Sequence, residues 1–162
     1  MAHLYGLQSK KASLDRYYKN FESEFPDKEE AVSVMAAVLG ELGQILPWPT
    51  RQRWRKKTDF YSLFVVLARH VDQMPFDRDK REAMRVRLDT LSSEVDDFLR
   101  SDEPEIADIS ESAKDYARSV RASSDLGSRK NRDQALETVL FDSHYGAPVD
   151  VSDAAPDEES EE

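Results

Sequence analysis

Apolar residues recur along this chain at three- and four-residue intervals, the period of a helix with one buried face. Leu14, Tyr17, Tyr18, Phe21 and Phe25 predict a first helix from about Ser9 to Glu24, stopped by Pro26. Asp27 followed by Glu30 has the form of a capping box and opens a second helix that runs to about Leu46. Its Val34, Met35, Val38, Leu39, Leu42, Ile45 and Leu46 make a wide apolar stripe, and Ala36, Ala37, Gly40 and Gly43 predict the close approach of another helix. Pro47 and Pro49 end it. The third helix starts near Thr58 and carries Phe60, Leu63, Phe64, Val66, Leu67, Ala68 and Val71. Apolar residues cover most of its circumference, which predicts a place at the centre of the fold.

Pro75 lies just beyond that helix, and Asp77 is placed to cap a fourth one reaching about Leu99. Met84, Leu88, Leu91, Val95 and Phe98 share one of its faces. Ser101-Asp102-Glu103-Pro104 reads as a turn. A fifth helix, about Glu105 to Ser123, uses Ile106, Ile109, Ala113, Tyr116, Ala117 and Val120, and a sixth, about Ser128 to Phe141, buries Ala135, Leu136, Val139 and Leu140. No sustained alternation of β-branched residues supports a strand. The expected fold is all-α: one compact bundle of about six helices over residues 1–141, then a disordered acidic tail over residues 142–162.

Charge sharpens that division. The chain of 162 residues has a net charge of −10, but Asp142 to Glu162 holds eight acids and no Lys or Arg. Residues 1–141 therefore carry 25 acids against 23 bases, a net of −2, so the acidity belongs to the tail. No apolar run is long enough to span a bilayer, and the N-terminus lacks a basic segment followed by an apolar one. Cysteine is absent, which removes thiol chemistry and fits a cytoplasmic protein.

Catalytic signatures are missing as well. The three histidines (His3, His70, His144) form no pair at helical metal-binding spacing. His70 and Asp59 share a helix face but stand roughly 16 Å apart, too far for a dyad. No phosphate-binding glycine loop and no nucleophile elbow occurs. The expectation is a protein that is not an enzyme and uses no metal and no cofactor.

One cationic stretch stands out. Trp48 to Lys57 holds Arg51, Arg53, Arg55, Lys56 and Lys57 beside Trp54, and then runs into Phe60, Tyr61 and Phe64, which are expected in the core. These cations could line nucleic-acid phosphates with the Trp54 indole free to stack on a base. Alternatively, Trp54 packs at the domain edge and the cations are solvated or paired. A second basic set comprises Arg118, Arg121, Arg129, Lys130 and Arg132, the last three opening the sixth helix. A helix N-terminus disfavours cations, so their placement there suggests an external acid to meet.

The stretch Arg53 to Phe64, R-W-R-K-K-T-D-F-Y-S-L-F, resembles a segment in the helical part of GmrSD-type restriction-endonuclease family proteins. Tyr116 to Leu136 resembles a later segment in some of them, where an alanine- and arginine-rich helix leads to a basic turn and a last helix. K-K-A-S-L-D-R-Y-Y (Lys10 to Tyr18) is compatible with an earlier helix of the same proteins. The resemblance spans most of Leu7 to Phe141. It implies structural roles for Phe60, Tyr61, Leu63 and Phe64 in packing and for Thr58 in capping. Those proteins carry their DNA-cleavage chemistry in a ParB-like domain with a D-G-Q-Q-R-type motif, and some add a His-based nuclease domain. Neither is present in this sequence, so no catalytic residue carries over. The resemblance implies a non-catalytic helical accessory domain of a DNA-defence nuclease system. It would hold or regulate a nuclease subunit or domain, and the residues expected to contact DNA or that partner are Arg51, Arg53, Trp54, Arg55, Lys56, Lys57, Arg129, Lys130 and Arg132. The alternative is a free-standing protein-binding regulator, inhibitor or antitoxin-like, acting through its acidic tail.

Overall fold

The computed structural model describes residues 11–47, 53–103, 108–120 and 125–142. Among them the chain forms six α-helices: α1 (Lys11–Asn20), α2 (Lys28–Ile45), α3 (Lys57–Arg69), α4 (Arg78–Arg100), α5 (Glu111–Val120) and α6 (Leu126–Phe141). Single 3-10 turns, Arg53–Arg55 and Val71–Gln73, flank α3. The fold is the expected all-α bundle. The tail expected from residue 143 onward, residues 1–10, Trp48, Arg51, Ile106 and Arg121 lie outside the described residues.

α3 is the central element. Its Leu63, Val65, Val66, Leu67 and Ala68 are all buried, and it packs against α2 and α6. α6 also packs against α4 and α5, bringing Leu136, Val139 and Leu140 onto Met84, Leu88 and Leu91 in one continuous core. α3 and α6 run parallel, because Arg129 lies over Tyr61, Arg132 reaches Ser62 and Arg69 reaches Asp133. α4 runs against both: Arg87 near its start donates to the carbonyls of Val139, Leu140 and Asp142, while Asp96 near its end accepts from Arg53.

Several local expectations need correction. Phe60 is 39% exposed and Tyr61 and Phe64 are only half-buried, so the aromatic run straddles the core boundary. α3 begins one residue before Thr58, and the capping position falls to Lys56, which offers no side-chain acceptor. Asp27 sits at the N-cap of α2 but makes no side-chain capping bond. Asp77 does cap α4, accepting from the Lys80 amide at 2.7 Å. α5 starts at Glu111, later than expected, and Ser110 Oγ accepts from the Ala113 amide there; its expected end lies outside the described residues. On α2, Val34, Val38, Leu42 and Ile45 turn inward, but among the described residues no helix approaches Gly40 or Gly43: a Cβ at either meets nothing within 4 Å.

A cationic bundle end above a buried ion network

The parallel course of α3 and α6 brings both N-termini to one end of the bundle. That end gathers the two basic sets that are separate in sequence. Arg55, Lys56 and Lys57 are exposed at the start of α3, and Lys130 is exposed on the first turn of α6. The Arg129 guanidinium lies 5.4 Å from the Tyr61 ring centroid, bridging the two helices. Burial raises the Tyr61 hydroxyl above its ordinary pKa, more than the neighbouring Arg129 charge lowers it. Asp125 caps α6, accepting from the Ser128 amide at 3.2 Å. Lys56, at the N-cap of α3, makes no equivalent side-chain capping bond.

Three residues expected at this surface are inside the molecule instead. Arg53 is buried; its Nη1 donates to Asp59 Oδ2 at 3.5 Å and its Nη2 donates to Asp96 Oδ1. Trp54 is buried edge-on to Tyr116, ring centroids 6.2 Å apart at 71°, so its indole is not free to stack on a base. Arg132 is 0% exposed: its Nε donates to Ser62 Oγ at 3.2 Å and its Nη1 to the Ser119 carbonyl at 2.7 Å. Removing a guanidinium from water is costly unless its donors are matched, and Arg53 and Arg132 are where the fold meets that cost, with Arg53 Nε left without a hydrogen-bond partner among the described residues.

The network continues through the core. Tyr116 donates from its hydroxyl to Asp59 Oδ1 at 2.9 Å. Desolvation raises the Asp59 carboxyl above the usual carboxylate range, outweighing the lowering by that hydrogen bond and by Arg53. Desolvation and the facing carboxylate push the Tyr116 hydroxyl well up. Asp133 is also raised by burial, against the ion pair with Arg69 at 2.7 Å. These groups join α3, α4, α5 and α6, and every one of them already has a protein partner.

His70 lies at the far end, joined to this network through Glu137, which Arg69 Nη1 also approaches at 3.9 Å. Its ring stacks on Phe141 at 3.6 Å and 15°. Nδ1 accepts from Gln73 Nε2 at 2.9 Å, which leaves Nε2 as the donor to Glu137. Gln73 Oε1 accepts in turn from Lys80 Nζ at 2.9 Å. Asp59 and His70 thus have different direct partners. A cavity of about 200 Å³ between α5 and α6, lined by Ser112, Asp115, Asn131, Gln134, Ala135 and Thr138, is smaller than an ordinary small-molecule site. Among the described residues no group of His, Asp or Glu side chains could hold a metal ion, and no helix is long and apolar enough to cross a membrane.

No protein-family model, no curated protein and no solved structure matches this chain.

Proposed function

We propose that this chain is a non-catalytic helical accessory domain that contacts the phosphate backbone of DNA through the cationic end of its bundle. The observation that supports this reading is the meeting of Arg55, Lys56 and Lys57 with Arg129 and Lys130 at two parallel helix N-termini, although the two sets lie far apart in sequence. Helix N-termini add partial positive charge to the side chains there. Trp54, the side chain expected to stack on a base, is buried, so the expected contact is with backbone and independent of sequence. The resemblance of Arg53 to Phe64 to GmrSD-type proteins adds the role: holding a separate nuclease subunit or domain of a restriction-type defence system on its substrate.

The test is charge reversal at Lys56, Lys57 and Lys130, all exposed. Wild-type binding to duplex DNA should weaken steeply with salt, with a log–log slope up to about −4 for a handful of phosphate contacts. Lys56→Glu, Lys57→Glu and Lys130→Glu together should remove most of the affinity and flatten the slope. Binding that is unchanged by these substitutions, or that has no salt slope in the wild type, would reject the phosphate role.

A further inference from the structure

α2 presents two different faces. Val34, Val38, Leu42 and Ile45 fill the core. On the outer side Val32 is 59% exposed, Met35 52% and Leu39 47%, in a row that follows the helix. From Ala31 to Leu46 the only ionisable residue is Glu41, and it is turned inward and paired with Arg81 at 2.8 Å. In a chain that is 35% charged, nearly the whole outer face of this helix bears no charge. Ala36, Gly40 and Gly43 lie on the same side, exposed, with open space where a Cβ would stand on either glycine. Large apolar side chains left uncovered in a line mark a contact surface.

We propose that this face is the two-fold interface of a homodimer, with α2 packed antiparallel on α2 of a second copy. The order of side chains along the helix is what selects a second copy. At about 100° per residue, Val32, Ala36, Leu39 and Gly43 fall within roughly 60° of one another around the axis. A two-fold axis passing level with the Ala37–Val38 bond sets Val32 of one copy level with Gly43 of the other. The same operation sets Leu39 level with Ala36. Each large side chain meets a small one, and the symmetry supplies every such pair twice. Met35 then closes over the flank of the second copy's Leu39.

Charge and area agree with this arrangement. Glu30 comes level with Ile45 at the uncharged end of the other α2, and Lys28 and Glu29 lie just past it, so no like charges meet along the seam. Antiparallel helices also oppose their dipoles favourably. One helix face from each copy makes a small contact, near the lower edge of about 1,000 Å² in total for a specific interface. A contact of that size fits a dimer that forms and dissociates reversibly.

Sedimentation of the full chain from low micromolar to several hundred micromolar should show monomer passing to dimer. Each copy carries a net charge of −10, so added salt should strengthen the association by screening long-range repulsion. Met35→Lys with Leu39→Lys should hold the chain monomeric while leaving the unfolding midpoint at low concentration unchanged. Gly43→Leu should do the same by filling the hollow, since its side chain enters open space in a single copy. The chain has no cysteine, so mild oxidation of Ala36→Cys chains mixed with Leu39→Cys chains should give the mixed disulfide in preference to either homodisulfide. A wild type that stays monomeric to several hundred micromolar overturns the proposal, as does a dimer that survives the double Lys substitution. A double Lys variant whose monomer unfolds at lower temperature also overturns it, because the face would then be covered by another part of the same chain.

Discussion

Arg132 has its guanidinium enclosed on all sides and bonded to the Ser62 hydroxyl and the Ser119 carbonyl in the last turn of α5. Arg132→Ala would leave both acceptors without that donor and open a void between α3, α5 and α6. The expected loss is about 3–5 kcal/mol, seen as a lower urea midpoint at unchanged m-value. Arg132→Met should recover much of that loss, because it fills the space without carrying charge into the core. Lys56→Ala and Lys130→Ala should change stability by no more than about 0.5 kcal/mol. Asp59 gives a second measurable quantity. Burial raises its carboxyl pKa in the fold, so the folded state holds that proton more tightly than the unfolded chain. Its contribution favours folding at low pH and is lost as pH rises from about 4 through the folded pKa. Asp133 has the same sign, whereas Glu41, held below its usual range by the hydrogen bond from Arg81, loses its contribution as pH falls through its own folded value. Asp59→Asn should therefore gain on the wild type as pH rises above about 4, measured by denaturant unfolding across that range. What the sequence withholds at this scale is direction. Arg53 and Arg55 flank the same tryptophan, yet one is buried and the other exposed, because Arg53 finds Asp96 on α4, far away along the chain. Arg132 does leave a trace: it is in helical register with Leu136, Val139 and Leu140, all on the buried face.

Helix boundaries are legible where the capping chemistry is local. Asp77 is visible as a cap before α4 because an acid, a proline two residues earlier and an apolar-periodic run coincide there. Asp125 performs the same task before α6 but is hidden in the sequence, since the apolar residues of that helix begin well inside it. Asp77→Ala and Asp125→Ala should each cost about 1 kcal/mol, while Asp27→Ala should cost less, because the Asp27 side chain makes no capping bond. Thermal unfolding of the three variants side by side ranks them. The stripe on α2 misleads for a different reason. Val34, Val38, Leu42 and Ile45 follow one helical line and Val32, Met35 and Leu39 follow another, and nothing in hydrophobicity distinguishes a line facing the core from one facing away. The glycines do lie beside an apolar line, but it is the outer one, where among the described residues no helix arrives.

At the scale of the molecule, the two proposed surfaces differ in the one property that salt reads most directly. The cationic end collects Lys56, Lys57 and Lys130 with Arg55 and Arg129 on a chain whose net charge is otherwise strongly negative. Its attraction for a polyanion comes from releasing counterions, and salt opposes it. From Ala31 onward the outer face of α2 carries no charge, and the force holding two copies there is burial of apolar surface, which salt does not weaken. Only the long-range repulsion between two copies of net −10 is screened, so salt favours that contact. One salt titration followed by both DNA binding and sedimentation thus moves the two equilibria in opposite directions. The opposition also separates each surface from its rivals. A dimer held by the cationic end of one copy on acids of another would dissociate as salt rises, and DNA binding that depended on dimerisation would not fall monotonically. The substitutions reinforce the distinction, because Lys56, Lys57 and Lys130 lie on other elements from Met35, Leu39 and Gly43. Charge reversal at the bundle end should leave the dimer intact, and closing the hollow at Gly43 should leave DNA affinity per chain close to that of the wild type.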